Sequence, residues 1–243
     1  MSQPPVGRPA AKTSSHPNRT APIRVLIAED QALLRSSLAA LIGAEPDLEV
    51  AAQAADGLEA VELAGSLRPD VVVMDVQMPR LDGVEATRRI CADPALAGTR
   101  VLVLTMFEVE EYVLGALRAG ASGFLLKDAA PQAVVDAVRT VHAGQSLLSP
   151  QVMARLLARG VRGCDGGMAE GMVEQVARLT PRQREVLVLI ARGLSNQQIE
   201  AELAITRATC RTHITALLSR LGARDRAQLV VAAYEAGLVV PGG

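Results

Sequence analysis

The stretch DVVVMDVQMPRLDG (70–83) decides the fold. Val71–Met74 is an unbroken apolar run, mostly β-branched, and it stops on Asp75. Pro79 and Asp82-Gly83 then punctuate the way into a helix. An apolar run this short, with no polar alternation, predicts a strand buried on both faces. The same grammar repeats on either side, in IRVLIAED (23–30), LEVAAQA (48–54), RVLVLT (100–105) and GFLLK (123–127). Amphipathic segments at about 31–44, 57–67, 83–92, 108–119 and 131–143 separate these runs. Five strand–helix units predict an α/β doubly wound, five-stranded parallel sheet with right-handed crossovers and helices on both faces.

In such a sheet, chemistry collects beyond the carboxyl ends of the strands. Strand 1 ends in Glu29-Asp30, strand 3 in Asp75, strand 4 in Thr105 and strand 5 in Lys127. Four of five strands thus end in a polar or charged residue at one edge. Three carboxylates crowded together repel one another unless a hard cation joins them, and Mg²⁺ with oxygen ligands suits them. A carboxylate can attack phosphorus to give an acyl phosphate. A metal, an ammonium and a hydroxyl then hold the remaining phosphoryl oxygens. Of 25 Lys+Arg only two are lysines, Lys12 near the N-terminus and Lys127 at this edge. A compact ammonium is poorly replaced by a planar guanidinium, so the placement is informative.

On these residues the segment 23–143 resembles a receiver domain, which is flavodoxin-like in fold. The resemblance implies that Asp75 is the phosphoacceptor, Glu29 and Asp30 the acidic metal pair, Thr105 the switch hydroxyl and Lys127 the phosphate-binding lysine. Phe124 matches the aromatic switch position, and the backbone carbonyl of Gln77 would complete the metal ligands. Glu29 stands where aspartate is frequent, a change that keeps metal binding. Met106 stands where a smaller residue is common, which implies restricted access to an acyl phosphate.

The remainder of the chain differs in kind. Residues 1–22 hold five prolines and no hydrophobic periodicity, as a disordered tail would. A short helix is predicted from Ser149-Pro150 to about Arg159, and GVRGCDGGMAEG (160–171), with five glycines, reads as flexible linker. From 178 onward everything has helical pattern. Thr180-x-x-Gln183, Ser195-x-x-Gln198 and Asp225-x-x-Gln228 read as capping boxes, and Thr206 caps a further helix. These signals predict a small all-α domain of four helices over 178–243, joined through 149–177 to a domain over 23–148.

In the helix Arg207–Leu221, Cys210, Ile214, Leu217 and Leu221 form the inward stripe, while Arg207, Arg211 and Thr215 lie opposite with Thr212 beside them. Thr209 and His213 flank that exposed stripe. Arginines and threonines on one face suit phosphates and base edges in a major groove. The short turn after Ser195–Leu203 makes the pair a helix-turn-helix. Leu179–Val239 closely resembles the LuxR-type DNA-binding domain, with Cys210 and Ala216 as departures. With the receiver, the resemblance covers about 200 residues and identifies the chain as similar to NarL/FixJ-family response regulators. It implies a sensor histidine kinase and double-stranded promoter DNA as partners, and, when the chain is phosphorylated or DNA-bound, a homodimer that pairs through the last helix, about Asp225–Ala236.

Charge supports two jobs. Residues 23–148 carry 10 Lys+Arg against 18 Asp+Glu, whereas 178–243 carry 9 against 5, so an overall charge of −1 hides an acidic half and a basic half. Cys91, Cys164 and Cys210 have neither disulfide nor metal spacing, and the three histidines, His16, His142 and His213, lie at no ligand spacing. No apolar run approaches the roughly 18 residues of a membrane span, and the N-terminus lacks a secretory apolar core, so a cytoplasmic protein without membrane contact is expected. Aspartate-nucleophile phosphatases of the haloacid dehalogenase type need a second aspartate two residues after the first, where this chain has Gln77. An autoinducer-binding regulator needs an aromatic-lined pocket, yet 23–148 contain only Phe107, Tyr112 and Phe124 as aromatics. The expectation is therefore a phosphorylation-controlled transcription regulator, not an enzyme beyond self-catalysed phosphotransfer and dephosphorylation.

Overall fold

The computed structural model describes residues 21–106, 110–145 and 167–239. Five strands, β1 (Ile23–Ala28), β2 (Leu48–Ala54), β3 (Val71–Asp75), β4 (Arg100–Thr105) and β5 (Gly123–Leu126), form one parallel sheet in the order β2-β1-β3-β4-β5. Strand order reverses between β1 and β3, so a crevice opens beyond their carboxyl ends.

The sheet is apolar on both sides because helices cover both. Along β1 and β3, Val25, Ile27, Val71 and Val73 face one core with Leu38 and Ile42 of α1 (Ala32–Gly43) and Val134, Val135, Val138 and Val141 of α5 (Pro131–His142). Leu26, Ala28, Val72 and Met74 face the other, with residues of α2 (Gly57–Leu67), α3 (Gly83–Ala92) and α4 (Glu110–Arg118). Alternate residues point to opposite faces of a strand, which is why β3 reads as continuous hydrophobicity.

Local chemistry sets the helix starts. Asp56 caps α2 through the N–H groups of Leu58 and Glu59, and Asp82 caps α3 through that of Glu85. Each such cap is worth about 1 kcal/mol.

The C-terminal half contains α6 (Gly167–Ala177), α7 (Pro181–Ala191), α8 (Asn196–Glu202), α9 (Arg207–Arg220) and α10 (Arg226–Glu235). The reciprocal capping boxes at Thr180/Gln183 and Ser195/Gln198 are present, and Thr206 Oγ1 accepts from Thr209 N at 3.2 Å. α10 is buried along most of its length and packs on α7, α6 and α4.

The flexible reading of 160–171 is corrected at its C-terminal end, where α6 begins at Gly167. Packing of Met172 and Val176 on the core outweighs the modest helix cost of its glycines. The expected helix of 149–159 lies outside the described residues. At α10, Asp225 Oδ1 accepts from Gln228 N at 3.1 Å, but Gln228 does not close a box. Its side-chain amide instead reaches the carbonyl oxygens of Leu117 and Ala121 in the sheet domain, at 3.1 and 3.2 Å.

Candidate functional site

At the crevice, Glu29 follows β1, Asp75 closes β3, Thr105 closes β4 and Lys127 follows β5. Glu29, Asp75 and Thr105 are buried, whereas Asp30 and Gln77 are exposed. The Lys127 ammonium lies 2.7 Å from Glu29 Oε2 and 2.9 Å from Asp75 Oδ2, with its side chain 4% exposed. Its backbone N–H donates to the Thr105 carbonyl at 2.8 Å, which fixes the lysine to the end of β4. Phe124 is buried in the α4-side core, on the strand paired with β4.

The electrostatics leave this pocket short of positive charge. Burial lifts the carboxyl pKa of Asp75 and of Glu29 above the ordinary range, although Lys127 pulls both down. Burial also opposes the charge of Lys127, but the two carboxylates outweigh it and raise its pKa. Glu29, Asp30 and Asp75 each offer a carboxylate oxygen, and these lie within 4.8 Å of one another, an arrangement that can hold a metal ion. An all-oxygen donor set with uncompensated negative charge fits a hard divalent cation.

Two features that set the loops were not anticipated. Arg35 of α1 turns back to donate to the backbone carbonyls of Glu29 and Asp30, at 2.6 and 3.3 Å. Arg80, in the β3–α3 loop, donates its Nε to buried Asp56 at 2.8 Å. Arg80 has φ 62, a left-handed conformation that costs a non-glycine residue about 1–2 kcal/mol, and its side chain ties this turn to α2. An arginine a turn or a loop away from a carboxylate gives no sequence signal that distinguishes it from ordinary surface charge.

The second site is α9. Cys210 and Leu217 are buried, and Ile214 is partly buried against the core. Arg207, Thr209, Arg211, Thr212 and Thr215 are exposed, and His213 is half-buried. The hydroxyls of Thr206 and Thr209 lie 2.9 Å apart, and Thr212 donates its hydroxyl to the Ala208 carbonyl at 2.9 Å. Thr215 and Leu218 line a cleft with Cys91, Asp93 and Pro94 of the sheet domain, while Ile214 lines another with Ala143 and Gly144.

Comparison with known proteins agrees with this geometry. Residues 25–139 match the response regulator receiver domain, and residues 177–233 match the bacterial regulatory proteins of the luxR family. The chain is 39% identical over 217 residues to the transcriptional regulatory protein LiaR of Bacillus subtilis, covering 89% of this chain and 99% of that one. It is 36% identical over 217 residues to the response regulator protein VraR of Staphylococcus aureus, with the same coverage of each. A LuxR-family two-component response regulator of solved structure, from an Aurantimonas species, matches with TM-score 0.51 and 33% identity over 58% of this chain and 99% of that one. The described residues contain no helix long and apolar enough to cross a membrane. The chain belongs to the NarL/FixJ family of two-component response regulators, transcription regulators in which a receiver domain is joined to a LuxR-type DNA-binding domain.

Proposed function

We propose that Asp75 is the phosphoacceptor through which a sensor histidine kinase controls this regulator. A carboxylate oxygen of Asp75 attacks the phosphorus of a phosphohistidine whose other ring nitrogen is protonated, the P–N bond breaks with its electron pair going to nitrogen, and neutral imidazole leaves. The supporting observation is the Lys127 ammonium shared between Glu29 and Asp75 at the strand-order reversal. After transfer, Lys127 exchanges its hold on the Asp75 carboxylate for a phosphoryl oxygen. Thr105 donates its hydroxyl to another, and Phe124 responds from the neighbouring strand.

Glu29, Asp30 and Asp75, with the carbonyl of Gln77, would hold Mg²⁺. When bound, the ion offsets the negative charge of the incoming phosphoryl group. The chain's own chemistry stops at accepting and losing that group, and its output is DNA binding in the cytoplasm. The working division is a tail at 1–22, a receiver at 23–148, a connector at 149–177 and a DNA-binding domain at 178–243.

In the DNA-binding domain, Arg207, Thr209, Arg211, Thr212, His213 and Thr215 face the duplex, and two copies pair on a two-fold site. In the closed arrangement the receiver crowds the flanks of α9 at Thr215 and Ile214. Phosphorylation therefore acts by releasing a helix that the receiver restrains.

Acetyl phosphate with Mg²⁺ tests the central assignment. The wild type should gain one phosphoryl mass that hydroxylamine removes, and Asp75→Asn should gain none. Equal labelling of both proteins would end the assignment.

A further inference from the structure

The joint between the two domains buries a carboxylate in an unusual setting. Asp225 caps α10 with Oδ1, yet the residue is 2% exposed, and its Oδ2 has no hydrogen-bond partner among the described residues. Ser122, just before β5, is also buried, and its hydroxyl faces the Asp225 carboxyl. Arg100 of β4 contributes charge from the sheet side, but its Nε is itself buried without a partner and its Nη1 is taken by the carbonyls of Ala97 and Gly98. Arg224, in the same turn as Asp225, donates to the Leu96 carbonyl. Cys91 of α3 completes the surroundings. Neither neighbouring guanidinium pairs with the carboxylate, so the closed joint does not compensate an ionised Asp225 for its lost water.

We propose that Asp225 makes closure of the receiver on the DNA-binding domain proton-linked, with acid favouring the closed form and alkali the open one. Opening removes Ser122 and Arg100 and returns Asp225 to water, where it still caps α10. Burial pushes its pKa above the ordinary carboxylate range in the closed form, against the pull of Ser122, the Gln228 N–H and Arg100. A pKa raised by closure stabilises the closed form below the ordinary aspartate value, and that contribution is lost as pH rises through the raised one. Burial also pushes the Cys91 thiol up, so it stays neutral across this window and adds no charge.

The test uses the full-length, unphosphorylated chain without DNA, kinase or phosphoryl donor, so its failure leaves the assignment of Asp75 untouched. Small-angle scattering from pH 4 to 8.5, starting at the ordinary aspartate value, reads the closed and open populations. The wild type should expand as pH rises, the ratio of open to closed changing by at most about tenfold per pH unit for one proton. Asp225→Asn keeps a good capping residue without the charge, and it should remain compact throughout. Ser122→Ala removes a contact that stabilises the ionised carboxyl in the closed joint, so it should raise the open population at alkaline pH and leave the acid end unchanged. A wild type whose dimensions ignore pH overturns the proposal, as does an Asn variant with the full pH response. An Asn variant open at every pH also overturns it, because the ionised carboxylate would then be holding the joint shut.

Discussion

Gln228 of the last helix donates its side-chain amide to the carbonyl oxygen of Leu117, 3.1 Å away and 111 residues earlier in the chain. The same amide reaches Ala121 O at 3.2 Å, and Arg118 lies 3.4 Å from Glu235 on the same flank. These contacts grip the end of α4 and the turn into β5, the segment between Thr105 and Phe124. Any rearrangement of α4 would thereby be felt at α10.

Gln228→Ala removes two neutral hydrogen bonds across the joint. At about 0.5–1.5 kcal/mol each, their loss should shift the closed–open balance by roughly 5- to 150-fold. Unphosphorylated variant should bind promoter DNA more tightly than unphosphorylated wild type, as titration by fluorescence anisotropy would show. Unchanged affinity would mean that the joint does not restrain DNA binding.

Asp75 and Glu29 both carry pKa values raised by burial. A carboxyl of this kind stabilises the fold below its ordinary pKa, near 4, and that contribution is lost as pH rises through the raised value. Metal-free Asp75→Asn should therefore melt higher than wild type at pH 7, where it leaves Glu29 and Lys127 as a balanced pair. Each kcal/mol corresponds to about 2–4 °C in a chain of this size. The gap should narrow at pH 4 and again when saturating Mg²⁺ stabilises the wild type. Calorimetry showing the variant melting lower at pH 7 without metal would reject this account.

Lys127→Arg probes shape at constant charge. The ammonium reaches two carboxylates from a nearly enclosed position, and a planar fork cannot take the same point. Phosphoryl acceptance by Asp75 should persist in mass spectra, while the gain in DNA affinity on phosphorylation should fall. Loss of one charge-assisted hydrogen bond, about 1.5–3 kcal/mol, corresponds to roughly tenfold or more. A full gain in the variant would show that any cation serves.

Gly83 sits where a side chain has no room. A Cβ there would lie 1.8 Å from the carbonyl oxygen of Asp75 and 2.8 Å from its carbonyl carbon. Gly83→Ala must therefore push the β3–α3 loop off Asp75, destabilising the receiver by about 1–3 kcal/mol, and should slow acetyl phosphate labelling. Gly65, inside α2, has open space where a Cβ would stand, with nothing within 4 Å. Gly65→Ala should stabilise by up to about 1 kcal/mol and leave labelling unchanged, as denaturant titration would check.

The contrast between these glycines marks what a sequence conveys. Asp82-Gly83 is legible as a turn, but its proximity to Asp75 depends on a neighbouring strand end. The strands were legible because burial on both faces leaves a continuous apolar run, and the acidic edge because parallel strands bring their carboxyl ends together. The Arg80–Asp56 and Arg35–Glu29 contacts, and the crossing of Gln228 to the receiver, were not. Each joins residues whose pairing depends on how loops or domains meet. The spacing Asp225-x-x-Gln228 suited a capping box, and only the presence of α4 alongside redirects the glutamine. The glycines before α6 concealed a helix that tertiary packing supports.

Recognition of DNA should divide between positioning and reading along α9. Arg207 opens the helix and Arg211 lies one turn on, both exposed on one stripe. Thr209 is engaged with Thr206 at the cap, and Thr212 donates its proton to the Ala208 carbonyl, so the Thr212 hydroxyl is not a free donor to a base. That leaves Arg211 as the side chain suited to a bidentate base contact, with Thr212 able to accept and Thr215 beside it, while Arg207 contacts phosphate. Arg211→Ala should cost about 1–3 kcal/mol on the specific site and relax preference at one base pair per half-site. Arg207→Ala should weaken specific and scrambled DNA alike and lower the salt slope by about one unit per monomer. Titrations of both variants on both DNAs at several salt concentrations separate the roles. If Arg211→Ala weakens both DNAs equally while Arg207→Ala changes base preference, the roles are exchanged, and if neither variant matters, α9 is not the reading helix.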